Sequence, residues 1–436
     1  MQNKYIFYLI VANILWSFIP VLVIDLFNEV SLIMIIFLRF FVSGIIFFVL
    51  GFGLICYNNA FTKNEKITLK ELVAFITHKN KAFDNVRNVF YLAILGFFGI
   101  ILQIIGYFLS LKTTSIGFTM TGYFLSIILI AFYEHGVRTE RFDIFKILYL
   151  LMLVFSISII IFVKSQESIQ KITFIGTFYM LFFTISMTFL QIGIEKDTFS
   201  KDELKLIYRN KNYKIVRLLL KLSLTFLMGI GLMFPFFSIF LLFPIKTELD
   251  SEIILFFAQF SNFFQYLFRW EILFLIFFST ITTNLLMFIS SQNWSPYSLT
   301  YSQWSSILNI IEPFGGLLFG VIFIGEYFPT EYLVIIFFLL FISILFRYAH
   351  ESRNQVNAIL LLRHRQGFLT NIPHKLLKLE GVYNVDYLIG TEDILLNIKT
   401  NSIRNLYNLI NAHIRDLKEI YKITILFIQK VIKVSK

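Results

Sequence analysis

VSLIMIIFLRFFVSGIIFFVLGFGLIC, residues 30–56, carries a single charge, Arg39, in a run long enough to cross a bilayer. A helix rising about 1.5 Å per residue needs about 20 apolar residues to span the hydrocarbon core. Nine further runs of this kind read near 5–26, 89–111, 113–133, 143–163, 172–194, 217–243, 271–292, 297–323 and 329–348, which makes ten spans. Between the seventh and eighth, Ile253–Phe268 is amphipathic and reads as an interfacial helix or a loop. With 57% hydrophobic and 15% charged residues, the chain has too little polar surface for a water-soluble globule of this length. The lipid bilayer is its solvent, and the 55 Phe residues are read as lipid-facing filler.

Charge placement sets the expected topology. If the N-terminus lies inside, the inner loops collect Lys63, Lys66, Lys70 and Arg87, then Arg138 and Arg141, then Lys201, Lys205 and Arg209. The outer loops receive Lys112, Lys164, Lys171, Lys246 and Arg269. This positive-inside asymmetry, with an even number of spans, places both termini in the cytoplasm of a cell whose plasma (inner) membrane holds the protein. It also accounts for the net charge of +11 without a nucleic acid partner. The first run is longer than a signal-peptide core and lacks a small-residue cleavage site, so it is expected to remain as helix one. Cys56 is the single cysteine and has neither a disulfide partner nor metal-ligand companions.

Residues 1–163 and 172–348 each hold five spans, and an odd number forces the second set to enter the membrane with opposite orientation. An inverted repeat of this kind puts a substrate site near the midplane. Weak symmetry supports it: the fourth span runs through Thr121-Gly122-Tyr123 to Glu134, and the ninth through Pro313-Phe314-Gly315 to Glu326, at the same thirteen-residue offset. Trp16, Phe37-Leu38-Arg39-Phe40, Glu312-Pro313 and Gly325-Glu326 resemble the EamA-type branch of the drug/metabolite transporter superfamily. The resemblance covers about 340 residues and implies a ten-helix, 5+5 carrier. The chain departs from that pattern in lacking a proline in the fourth span, in having Tyr133-Glu134 for Gly-Glu, and in two polar inner insertions, 58–88 and 195–216, read as solvated linkers.

Residues 355–436 form a third region of short elements in the order β, α, β, β, α, β: Val356–Leu362, Phe368–Leu379, Val382–Leu388, Ile394–Thr400, Ile403–Ile414 and Ile420–Ile428. That order is a ferredoxin-like α+β domain. Leu379-Glu380-Gly381-Val382 and Ile389-Gly390-Thr391-Glu392-Asp393-Ile394 resemble the ligand-sensing domain of Lrp/AsnC regulators. The resemblance implies an amino-acid effector bound near Gly390 and Asp393 and a homo-oligomer formed through this domain. For both residues ordinary turn chemistry is the alternative. No helix-turn-helix precedes the domain, so no nucleic acid binding is expected.

Within the spans, Arg39 costs roughly 2.5–3.5 kcal/mol at mid-membrane unless it is paired, so it is expected to face protein or water, as substrate contact or structural anchor. Glu312 precedes a helix-loosening proline and is a candidate proton carrier or a structural glutamate. Asn13, Trp16, Gln103, Tyr123, Gln191, Asn284, Trp304 and Asn309 are the further candidates for a translocation site, or polar links between helices. Gly315, Gly316 and Gly320 give a small face for close helix packing. The six histidines are assigned outside the spans, with His364 and His374 on the surface. No catalytic set, metal site or nucleotide loop is present in the sequence, so neither an enzyme nor a bound cofactor is expected. The expectation is a secondary transporter of small metabolites, amino acids or related compounds, exported by alternating access and regulated by the tail. A non-transporting sensor and a tail that only dimerises are the competing readings.

Overall fold

The computed structural model describes residues 2–61, 66–80, 86–138, 143–166, 173–195, 203, 207, 210, 212–242, 247–292, 301–353, 356–364, 372, 376, 377, 379, 381–400, 406, 407, 409–415, 417 and 419–427. Ten helices are long and apolar enough to cross a membrane: Lys4–Leu26, Leu32–Phe61, Asn88–Thr113, Ile116–Gly136, Ile144–Ser165, Phe174–Ile194, Tyr213–Leu242, Trp270–Met287, Trp304–Ile324 and Thr330–Ser352, called spans one to ten. The expected ten runs are thus found, within a few residues at most ends.

Close packing follows small residues. Gly96 of span three lies against Thr225 and Gly229 of span seven so tightly that a Cβ on Gly96 would stand 2.0 Å from the Thr225 carbonyl oxygen. The expected glycine face on span nine is real: Gly315 meets Ser17 of span one, while Gly316 and Gly320 meet Met120 and Ile116 of span four. Spans two and seven pack along each other, as do spans five and ten; span one packs on eight and nine, and span six on three and four. Three spans widen into π-helix, Leu95–Ile101 in span three, Phe277–Thr282 in span eight and Gly320–Ile324 in span nine, where each extra residue per turn re-aims its neighbours.

The stretch before span eight is a helix, Glu248–Gln259, begun by a Thr247–Asp250 capping box. Ile253 and Phe256 are buried, and the Glu252 carboxylate accepts the Leu32 N–H at 2.8 Å, capping span two. It is therefore a packed helix rather than one lying free in an interface. The insertion after span two is also more than a solvated linker. Its helix Leu69–Thr77 buries Phe75 beside Tyr91 and Tyr213, and Lys79–Asn80 (β1) pairs with Val86–Arg87 (β2).

At the C-terminus, Val356–His364 (β3), Val382–Tyr387 (β4), Ile394–Thr400 (β5) and Ile420–Phe427 (β6) form one antiparallel sheet in the order β4-β5-β3-β6. Alternate residues Ala358, Leu360, Leu362, Leu396 and Ile398 are buried together with Ile372, Leu376, Leu406 and Ile410. Most of the expected helix Phe368–Leu379 and the first part of Ile403–Ile414 lie outside the described residues.

Two assignments are corrected. His350 and His135 fall inside spans ten and four, because the helices run on past the apolar core where polar partners receive them. The His350 ring is 2% exposed and stands 2.7 Å from Asp143. Lys112 and Lys164 belong to the last turns of spans three and five instead of loops, each paired with a carboxylate, Glu252 and Glu326.

Candidate functional site

The π-helical stretch of span eight turns Ser279 and Thr280 towards span two. There Arg39, 4% exposed, donates from Nε to Thr280 Oγ1 at 2.7 Å and from Nη2 to Ser279 Oγ at 3.1 Å. Its Nη1 is buried without a partner. Trp16 of span one donates its indole N–H to the Ser279 carbonyl at 2.8 Å, fixing the same turn from a third helix. Asn284 reaches back to the Thr280 carbonyl at 2.6 Å.

Span nine supplies the opposite charge. Pro313 cannot donate a fourth-neighbour backbone bond, and the helix breaks into a turn at Asn309–Ile310 before resuming at Ile311. Glu312 stands in the first turn of the resumed segment, where a carboxylate suits the helix dipole. Ser17 of span one donates to the Glu312 carbonyl at 3.0 Å, and Tyr123 of span four lies beside the Glu312 side chain. Arg39, Tyr107, Tyr123 and Glu312 lie within electrostatic reach of one another, yet Arg39 and Glu312 make no direct ion pair. Phe183 of span six closes an aromatic triad with Tyr107 and Tyr123, at ring separations of 5.2 Å and 4.8 Å. Glu312 keeps accessible surface even so.

Of the residues singled out in the sequence, Trp16, Arg39, Tyr123 and Glu312 come together, and Asn284 joins them through Thr280. Gln103 is buried one turn from Tyr107 on the same face of span three. Asn13 is buried one turn below Ser17 and bonds the Leu9 carbonyl of its own helix at 2.8 Å. Gln191 and Asn309 line a separate cavity of about 30 Å³, with Glu134, Ser306 and Arg347. Trp304 packs on Tyr348, ring centroids 5.8 Å apart, away from the cluster. Sequence reading passed over Ser17, Tyr107, Ser279 and Thr280. The polar run Ser279-Thr280-Ile281-Thr282-Thr283-Asn284 inside an apolar span is the signal that marks two of them.

Above the cluster, at the end that holds Lys112 and Gly325, a cavity of about 880 Å³ is lined by Asn28, Thr114, Gln166, Tyr327 and Tyr332. Ile116, against Gly320, also lines this cavity, and Met120 against Gly316 lies deeper along the same two helices. On the cavity wall, Glu326 accepts from Lys164 Nζ at 2.7 Å and from the Gly117 N–H at 3.1 Å, joining spans four, five and nine.

In the tail, a Cβ on Gly390 would meet nothing, whereas Gly381, at φ +94°, has the Lys399 carbonyl 2.8 Å from where a Cβ would sit. Asp393 is engaged within the sheet. Its carboxylate accepts the His364 N–H at 2.8 Å and faces the His364 ring at 2.8 Å. The backbone N–H of His364 first, then its ring, hold the Asp393 carboxyl below its ordinary range against the opposing pull of desolvation. His364, expected on the surface, has a side chain only 7% exposed because this contact draws it in. Among the described residues no group of three or more His, Cys, Asp or Glu side chains is placed to hold a metal ion.

No family description matches the sequence, and no curated protein matches it. Among solved structures, one described only as "Crystal structure of protein" aligns over 81% of this chain and 99% of its own, at 12% identity and a TM-score of 0.44.

Proposed function

We propose that the chain is a secondary transporter of small metabolites, with amino acids or related compounds as the expected cargo, exported by alternating access between two five-span repeats in the plasma membrane. The observation that carries this reading is the central cluster. A cation with a free donor and a carboxylate with accessible surface face each other, unpaired, where spans one, two, four, eight and nine meet in an otherwise apolar bundle. Ionisable residues inside a membrane face the protein interior or a water-filled cavity and mark substrate or ion pathways.

The helix packing supports the 5+5 plan. Adding five to each span number turns one half's contacts into the other's: three and four on six becomes eight and nine on one, while two with seven and five with ten map onto themselves. Two of the three π-helical stretches of the spans begin seven residues into spans three and eight, which are repeat mates. The break in span nine supports a site at a discontinuous helix. The positive-inside pattern supports cytoplasmic termini.

The sheet order β4-β5-β3-β6 supports a ferredoxin-like tail of the Lrp/AsnC type. Effector sensing and assembly are separate readings of it, and one observation favours assembly. The Asp393 carboxylate is already taken by His364, while Ile359, Leu361, Leu395 and Leu426 share the face of the sheet turned away from its buried core, where a second copy would cover them.

The test is counterflow of labelled amino acids into liposomes containing the purified full chain. Saturable uptake that disappears in Arg39→Met supports a carrier. Absence of flux for amino acids, amines and carboxylates alike, with correctly folded protein, would leave the non-transporting sensor.

A further inference from the structure

Arg347 of span ten is 3% exposed, rests on the Tyr149 ring at 5.5 Å, and has both Nε and Nη1 buried without partners. It borders the small cavity of about 30 Å³, the room of a single water, together with Glu134 of span four and Asn309 of span nine. Glu134 meanwhile stands 3.8 Å from Lys146 of span five, a partner in its own half of the chain. A guanidinium buried with two unmet donors is costly. Such a cost is tolerable where another arrangement of the same helices meets it.

The opposite end of the bundle shows that arrangement made. Glu326, which follows span nine as Glu134 closes span four, pairs at 2.7 Å with Lys164 of span five, a residue of the other half. One end thus has its carboxylate joined across the halves. The other end has its carboxylate joined within a half, and the basic residue from across the interface waits beside it.

We propose that Glu134 and Arg347 are the inner gate of the carrier, formed when the Lys164–Glu326 pair at the outer end opens. This rests on the transport reading above. Each state then satisfies one cross-half ion pair and leaves the other open, so the cost of an open pair falls on both states alike. Two packings balanced in this way differ by little free energy and can interconvert. Opening the outer pair would extend the large cavity past Ile116 and Met120 to Tyr123 and Glu312. Closing the inner pair would fill the small one. Asp143 and His350, 2.7 Å apart, and Lys146 flank the gate and keep its surroundings polar in both states.

Reporter labelling tests this without any cargo. In the full chain with Cys56→Ser, Met120→Cys places a thiol at a position 1% exposed here, between the outer cavity and the cluster. A membrane-impermeant maleimide applied from outside reads how often the outer pathway opens. Glu326→Gln should speed labelling at least fivefold, and Arg347→Ala should slow it at least fivefold. Arg347→Lys, which keeps the charge, should leave the rate near that of the parent and serves if the alanine variant does not fold. The exchanged pair Glu134→Arg with Arg347→Glu should recover the parent rate that Arg347→Glu alone loses. Rates that move in the same direction for both ends, or not at all, or an exchanged pair no better than the single variant, would overturn the gate. Opposed shifts in a protein that moves no amino acid would uphold the gate and sink the cargo reading alone.

Discussion

Arg39 and Arg217 sit on the two long helices that pack against each other, and each is about as buried as the other, at 4% exposed. Arg217, near the start of span seven, donates from Nε to Glu203 at 2.6 Å, and its guanidinium lies over the Phe75 ring at 5.3 Å. Arg39, in the bundle's middle, lies over the Phe40 ring at 5.0 Å, but its nitrogens meet two hydroxyls and no carboxylate, and one of them keeps no partner. The same side chain at the same burial is closed at the edge and open at the centre. Satisfaction of its hydrogen bonds, more than depth, separates an anchor from a site that can receive a ligand.

The sharpest way to break this comparison is to delete the anchor. Arg217→Met strips the buried Glu203 carboxylate of its guanidinium and should cost about 3–5 kcal/mol of stability, read as a large fall in the thermal midpoint in detergent. If the midpoint holds, the edge pair is no anchor. Glu312→Gln should do the reverse, lowering flux per folded molecule about 100-fold, equivalent to about 2.7 kcal/mol, with little change in midpoint. A third variant asks whether the packing that positions both arginines is as tight as the backbone contact implies. Gly96→Ala should destabilise by about 1–3 kcal/mol through overpacking against span seven, and a neutral result in the same thermal assay would show that the crossing can relax.

The smallest effect is expected in the tail. Asp393 has a lowered folded-state pKa, so its contribution is present above the ordinary aspartate value of 3.8 and is lost as the pH falls through the lowered one. Nicking of the sheet by pepsin should rise below about pH 4 in the parent. Asp393→Asn, which has no such proton to take up, should flatten that rise. An unchanged profile would mean that the His364 contact does not hold the turn.

How much of this was legible beforehand follows from the physics of each element. Apolar run length fixed the ten spans because a bilayer core demands it, and the alternation of Ala358, Leu360 and Leu362 marked β3 because one face of its sheet is buried. Arg39 and Glu312 stood out because charge is rare inside a span. What remained hidden was pairing. Nothing in an apolar run announces a π-helical turn, so Ser279 and Thr280 could not be matched to Arg39. Lys164 and His350 were placed outside the spans and Arg347 was passed over, because the residues they face lie on helices far away in sequence. Asn13 and Trp304 carry the same kind of polar group as the cluster residues, but they point to a backbone carbonyl and to Tyr348, a distinction only packing supplies.

The most direct test of the central claim is amino-acid counterflow in liposomes for the parent, Glu312→Gln and Arg217→Met, each normalised to folded protein and paired with its thermal midpoint. The account predicts that Glu312→Gln stays folded and loses flux, while the Arg217→Met molecules that survive still transport. Flux retained in folded Glu312→Gln would contradict it.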